Sequence, residues 1–227
     1  VVVACNGVGT PRLLLNSKSK TFPGGLANRN GMVGKNLMFH PLTGVAGVFD
    51  EPMLGHEGPM ACSILSQEFY ETDPNRGFVR GYGLHSGRST TPMTYALGGY
   101  GIDNPIPWGA EHREIMDNIY PYLAGLTIVS EDLPEQHNCV TLDPDLTDSD
   151  GIPAPKITYR LGGNTRKMLR HGEEQAKEIL LAAGAKKVLS KNDDKVWWRA
   201  GWHQMGTCRM GDDPETSVVN GWGRSHD

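Results

Sequence analysis

The chain has 227 residues, a hydrophobic share of 38% and a formal net charge of −4. That length can bury a sizeable core as one large domain or two small ones, and the charge gives no electrostatic basis for binding nucleic acid. No apolar run approaches the roughly 18 residues needed to cross a bilayer, and no basic run is long enough to form a membrane or phosphate patch.

Residues 1–5, Val-Val-Val-Ala-Cys, predict a buried β-strand. Asn6–Gly9 predicts a turn, Thr10 a helix cap, Pro11 the first helical position and Arg12–Asn16 the rest of a short helix. Residues 19–36 read as loop. From about 37 to 195 the chain is rich in Gly, Pro, Tyr and Thr. Strands are predicted at Ala61–Leu65, Phe78–Leu84, Leu123–Ser130, Cys139–Leu142 and Lys156–Leu161, and their even spread between turn signals predicts an antiparallel sheet. Ser89–Gly109 lacks a clear period and reads as a long loop able to carry function. A helix follows, capped by Asn164 and ended by Gly184, with Met168, Gly172, Ala176, Ile179, Leu180 and Ala183 as its apolar stripe.

The four cysteines, Cys5, Cys62, Cys139 and Cys208, form no CxxC pair, which speaks against a zinc ribbon or a thioredoxin-like motif. They read as free thiols suited to a reducing compartment such as the cytoplasm. The opening on Val1 and the stop at Asp227 read as a piece cut at both ends.

Three motifs decide the chemistry. Asn6-Gly7-Val8-Gly9 places two glycines after an apolar run, but the third glycine of a dinucleotide fingerprint is Arg12 here. The segment is either an ordinary α/β turn or a cofactor contact made from the side. The acidic run Asp143–Asp150 mimics a calcium loop. Counted from Asp145, however, the sixth position is Asp150 and the twelfth Lys156, so it reads as a solvated turn. The segment Gly201–Gly211 is the informative one. His203 and Cys208 have no second pair to complete a metal site, and no GxSxG exists for a serine nucleophile. His203 is then either a structural histidine or a base, since an imidazole titrates near neutrality and can take a proton from an alcohol.

His203-Gln204-Met205-Gly206-Thr207-Cys208-Arg209-Met210-Gly211, followed by Asp213-Pro214 and Ser217-Val218-Val219, resembles the H-x-x-G-T-x-x-M-G segment of the glucose–methanol–choline oxidoreductases. Thr10-Pro11-Arg12-Leu13-Leu14-Leu15-Asn16-Ser17 resembles that family's second signature, with Asn6-Gly7 in place of its Gly-Ala and Lys18 where a glycine often follows. Val33–Leu37 with His40-Pro41, and Glu131–Pro134 with Asn138 and Val140, resemble further family segments.

The resemblance implies a flavoprotein that oxidises an alcohol or sugar. His203 is the base, the hydride goes to the flavin N5 of FAD, and reduced flavin passes electrons to an unspecified acceptor. It implies cofactor contacts at Ala4, Cys5, Asn6, Gly7 and Thr10, and no metal. The family's GxGxxG unit and its second catalytic His or Asn are not found in this sequence, so the piece alone is expected to be inactive. The expected fold is α/β. Residues 1–35 and 196–227 would be parts of a Rossmann-like FAD-binding domain. Residues 36–195 would form an α+β substrate domain, an antiparallel sheet with helices on one face and the loop at 89–109 as a lid. Two other readings stand beside this one: a non-catalytic α/β module that binds a ligand or partner, and a metal-dependent enzyme of another class.

Overall fold

A computed structural model of the chain describes residues 1–58, 62–87, 91–98, 106–189 and 202–227. The chain divides into two compact units. One comprises Val1–His40, Asp132–Gly163 and Ala200–Asp227; the other comprises Pro41–Glu131 and Asn164–Arg199. The expected middle segment 36–195 is thereby divided, because 132–163 packs with the terminal segments.

In the first unit, helix α1 spans Asn6–Asn16, and strands β5 (Cys139–Thr147) and β6 (Pro153–Thr158) make an antiparallel pair. Residues 1–5 form no strand and lie exposed, contrary to expectation. Apolar character alone does not make a strand, since the ladder needs a partner and no described segment pairs with them. The helix also starts earlier than Thr10. Asn6 sits at φ +61, and its Oδ1 accepts the N–H groups of Val8 and Gly9, each at 2.9 Å, as a helix cap does. Arg12 ties α1 to the hairpin by donating to Asp148 (2.7 Å) and to the Pro153 carbonyl (2.9 Å). Asp148 also accepts the N–H groups of Asp150 and Ile152 in the turn before β6. The acidic run is thus the end of β5 and a turn stabilised by its own aspartates. Leu14, Ala27, Met32, Val33 and Val218 form one core of this unit; Leu37, Phe39 and Val140 form another.

The second unit is built on a five-stranded antiparallel sheet, β1 (Leu42–Val48), β2 (Cys62–Ser66), β3 (Tyr82–Gly87), β4 (Leu123–Ser130) and β7 (Lys187–Leu189), in the order β2-β3-β4-β1-β7. The expected start of β2, residue 61, lies outside the described residues. Helix α4 (Gly163–Ala182) covers one face. Its Gly172 comes so near Ile128 that an added Cβ would lie 2.7 Å from Cγ2, and Thr43 of β1 donates to Glu173 at 2.7 Å. Residues alternate between sheet faces along a strand, so Leu123 and Ala46 project from the opposite face. There they meet Tyr95 of α2 (Pro92–Gly98), with Ile115 and Met116 of α3 (Ala110–Asn118) packed against the same cluster. Helix α2 replaces loop within the stretch expected to be irregular; residues 99–105 and 88–90 lie outside the described residues.

Two details of α4 depart from its periodicity. Asn164 does not cap the helix; its carboxamide brackets Val79, accepting its N–H at 2.9 Å and donating to its carbonyl at 3.0 Å. Leu169 is fully buried whereas Ile179 is exposed, so the apolar stripe is rotated slightly from the expected one. The C-terminal end follows expectation. Gly184 lies at φ +99, with Gly184 N–H on the Leu181 carbonyl and Ala185 N–H on the Leu180 carbonyl.

Candidate active site

The segments singled out at the two ends of the sequence meet in the first unit, through main chain before side chain. Met38 and Met205 exchange both backbone hydrogen bonds, at 2.9 and 3.1 Å, making a short antiparallel ladder. Gly34 N–H donates to the Thr207 carbonyl at 2.8 Å. Gly206, at φ +89, lies so close to the Asn36 carbonyl that any Cβ would collide with it. The tight approaches at Gly206 and Gly211 are thus made to the protein's own chain, to Asn36 and to Ser217.

Helix α1 joins this ladder through Gly7 and Pro11. A Cβ on Gly7 would fall 2.8 Å from Gln204. Pro11 has no N–H to give to the carbonyl four residues back, which is that of Gly7. The Thr207 hydroxyl donates to that carbonyl instead, at 2.7 Å. The Thr-Pro of one motif thus creates the acceptor that the Gly-Thr of the other fills.

His203 is exposed and lies at φ +57, a left-handed conformation that side chains rarely adopt. Its ring meets that of His40 edge to face, with centroids 5.1 Å apart and planes at 82°. Each residue lies two positions from the Met38–Met205 bridge, so both project from the same side of the ladder.

The residues expected to touch a cofactor are distributed unevenly. Gly7 is brought against Gln204 and Thr207. Asn6 uses Oδ1 on the start of α1, and Thr10 uses its hydroxyl to accept the Cys5 N–H at 3.0 Å. Ala4 and Cys5 are exposed. Asn36 and His40 stood in a family-like segment without an assigned role, and the fold puts both beside the His203 segment. Asn36 is 1% exposed, and neither of its buried amide atoms has a hydrogen-bond partner among the described residues. No local pattern marks it. Its environment comes from the crossing of Gly206 more than 160 positions along the chain. Cys208 lies two residues past Gly206, where burial pushes its thiol up to about 11 and so disfavours the thiolate. A separate cleft in the same unit, walled by Leu15, Lys18, Val33, Lys35, Gln136 and Val140, takes in none of the expected site residues.

Comparison with known proteins agrees with this convergence of motifs. Residues 134–227 match the GMC oxidoreductase family model. The chain is 42% identical over 229 residues to 2-methyl-1,2-propanediol dehydrogenase of Mycolicibacterium austroafricanum, covering all of this chain and 41% of that protein. It is 30% identical to the fructose dehydrogenase large subunit of Gluconobacter japonicus, covering all of this chain and 40% of the relative. Paromamine 6'-oxidase of Streptomyces fradiae is 29% identical, with 99% of this chain and 38% of the relative covered. The chain thus spans about two fifths of the length of these relatives. A solved structure of formate oxidase from Aspergillus oryzae shares the fold at TM-score 0.56 and 17% identity, over 97% of this chain and 46% of that one. With the likeness running through the whole chain and both end motifs joined in one ladder, the protein belongs to the glucose–methanol–choline (GMC) oxidoreductase family.

Proposed function

We propose that the whole protein is an FAD-dependent oxidoreductase acting on the CH–OH group of an alcohol or sugar, with His203 as its base. The observation that carries this reading is His203 itself, exposed at φ +57 in a segment bonded to residues 34–38 and to the first turn of α1. A neutral imidazole nitrogen there can take the hydroxyl proton, which raises electron density on the substrate oxygen and eases departure of the carbinol hydrogen. Bound FAD would supply the acceptor for the hydride. The names of the relatives, a diol dehydrogenase and a fructose dehydrogenase, support a hydroxyl-bearing substrate.

The residues present suit such a cofactor in two respects. The buried amide of Asn36 offers an adjacent donor and acceptor with no partner among the described residues, which matches the alternating acceptor and donor of an imide edge. The backbone of Ala4–Gly7, at the N-terminal end of α1, would flank the cofactor, where the helix end favours negative charge. Asn6 and Thr10, which use side-chain acceptors on the helix start, would serve by shaping that turn. In this reading residues 1–35 and 196–227 belong to the cofactor layer and most of 36–195 to the substrate side, with 132–163 supporting the former.

His203→Ala in the full-length flavoprotein is expected to lower turnover roughly 10²–10⁴-fold while flavin absorbance is kept. Turnover within a fewfold of wild type would remove His203 from the base role. A full-length protein purified without flavin would favour the non-catalytic binding module instead.

A further inference from the structure

We infer that His40 is a positioning residue that fixes the ring of His203 for proton transfer; the inference rests on the base role proposed for His203. An exposed imidazole in a left-handed backbone has little packing of its own to select a rotamer, yet a base must lie within about 2.6–3.2 Å of the proton it takes. Among the described residues, one ring lies against it. His40 meets His203 edge to face at 5.1 Å between centroids, the geometry in which aromatic rings attract through the positive edge of one and the negative face of the other.

His40 is suited to give that support. It follows Phe39, which is buried with Leu37 and Val140, and Phe39 in turn packs edge to face on Tyr159 at 4.7 Å. Its N–H donates to the Trp202 carbonyl at 3.3 Å, on the residue just before His203. The Met38–Met205 bridge two residues away holds both chains in register. The backbone of His40, held between the buried Phe39 and the Trp202 carbonyl, sets its ring against the exposed one and so restrains the base. The sequence offers no local sign of this, because the two histidines are more than 160 positions apart.

The test compares His40→Phe, which keeps a ring edge, with His40→Leu, which fills similar space without one, both in the full-length flavoprotein. His40→Leu is expected to lower kcat roughly tenfold with KM changed less than about twofold, since misplacing the base slows the chemical step rather than binding. His40→Phe is expected to stay within about threefold of wild type. Flavin content and Tm should match wild type in both, which separates positioning from misfolding. Equal kcat for the two variants, whether both high or both low, overturns the inference. Parallel measurement of His203→Ala keeps the two readings apart. If that variant is inactive while His40→Leu matches wild type, positioning alone fails; if it is fully active, both fail.

Discussion

Two residues 196 positions apart in the sequence decide how the Gly7 carbonyl is hydrogen-bonded. Pro11 withholds the helical N–H, and Thr207 supplies a hydroxyl 200 residues away at 2.7 Å. Thr207 is 2% exposed, so losing its hydroxyl leaves a partly buried acceptor without a partner. Thr207→Val is expected to lower stability by about 1–2 kcal/mol. In a Pro11→Ala background the helix regains an N–H for Gly7, so the same substitution should cost measurably less. Urea denaturation of the four proteins in this double-mutant cycle gives the answer; an identical cost in both backgrounds would mean that Gly7 is not the shared acceptor. The motifs at both ends of this bond were legible in the sequence. The partnership was not, and neither was the placement of Asn36 and His40 beside the His203 segment, because it comes from main-chain crossings that no local spacing encodes.

At the scale of elements, close approach explains both what could be read and what could not. Strand β4 and helix α4 announce themselves, one by β-branched residues in Leu-Thr-Ile-Val, the other by apolar residues three and four apart. Strand β1 hides because Gly44 and Gly47 dilute its strand character. The structure shows why Gly47 is needed: a Cβ there would lie 2.9 Å from that of Ala185. Helix α3 hides because it is mostly polar and buries no residue fully. The same closeness governs Gly172, where an added Cβ would meet Ile128 at 2.7 and 3.1 Å and Tyr82 at 3.3 Å. Alanine would gain about 1 kcal/mol of helix propensity. Ile128 and Tyr82 are fully buried and hemmed in, so overpacking, typically about 1–3 kcal/mol, should win. Gly172→Ala is therefore expected to lower the urea midpoint modestly. A raised midpoint would show that α4 has room to move off the sheet.

For the molecule as a whole, long-range bonds decide which segments belong together, and charge decides how the fold answers to pH. Arg12 and the Leu37 N–H, which donates to the Asn138 carbonyl at 2.9 Å, draw 132–163 to the terminal segments. Each unit also carries a group whose proton affinity falls on folding. In the first, the Arg12 hydrogen bond, helped by the Ile152 N–H, holds Asp148 below the usual 3.8. In the second, burial and then the charge of Arg76 hold His171 below the usual 6.5, against the opposing pull of Glu178 and Asp73. His171 sits among Phe69, Phe78 and Tyr82, with the Tyr82 hydroxyl 2.8 Å from Nδ1. For both groups the unfolded chain binds the proton more readily, so stability falls as pH falls. The His171 contribution is intact above pH 6.5 and is lost below it; that of Asp148 is intact above 3.8 and is lost only in stronger acid. His171→Gln keeps a carbonyl to accept from Tyr82 and cannot titrate. Urea midpoints measured between pH 7.5 and 5 should decline in the parent protein and decline less in His171→Gln, while the loss near pH 3.5 stays the same in both. An identical decline above pH 5 would place the neutral-range sensitivity in another histidine.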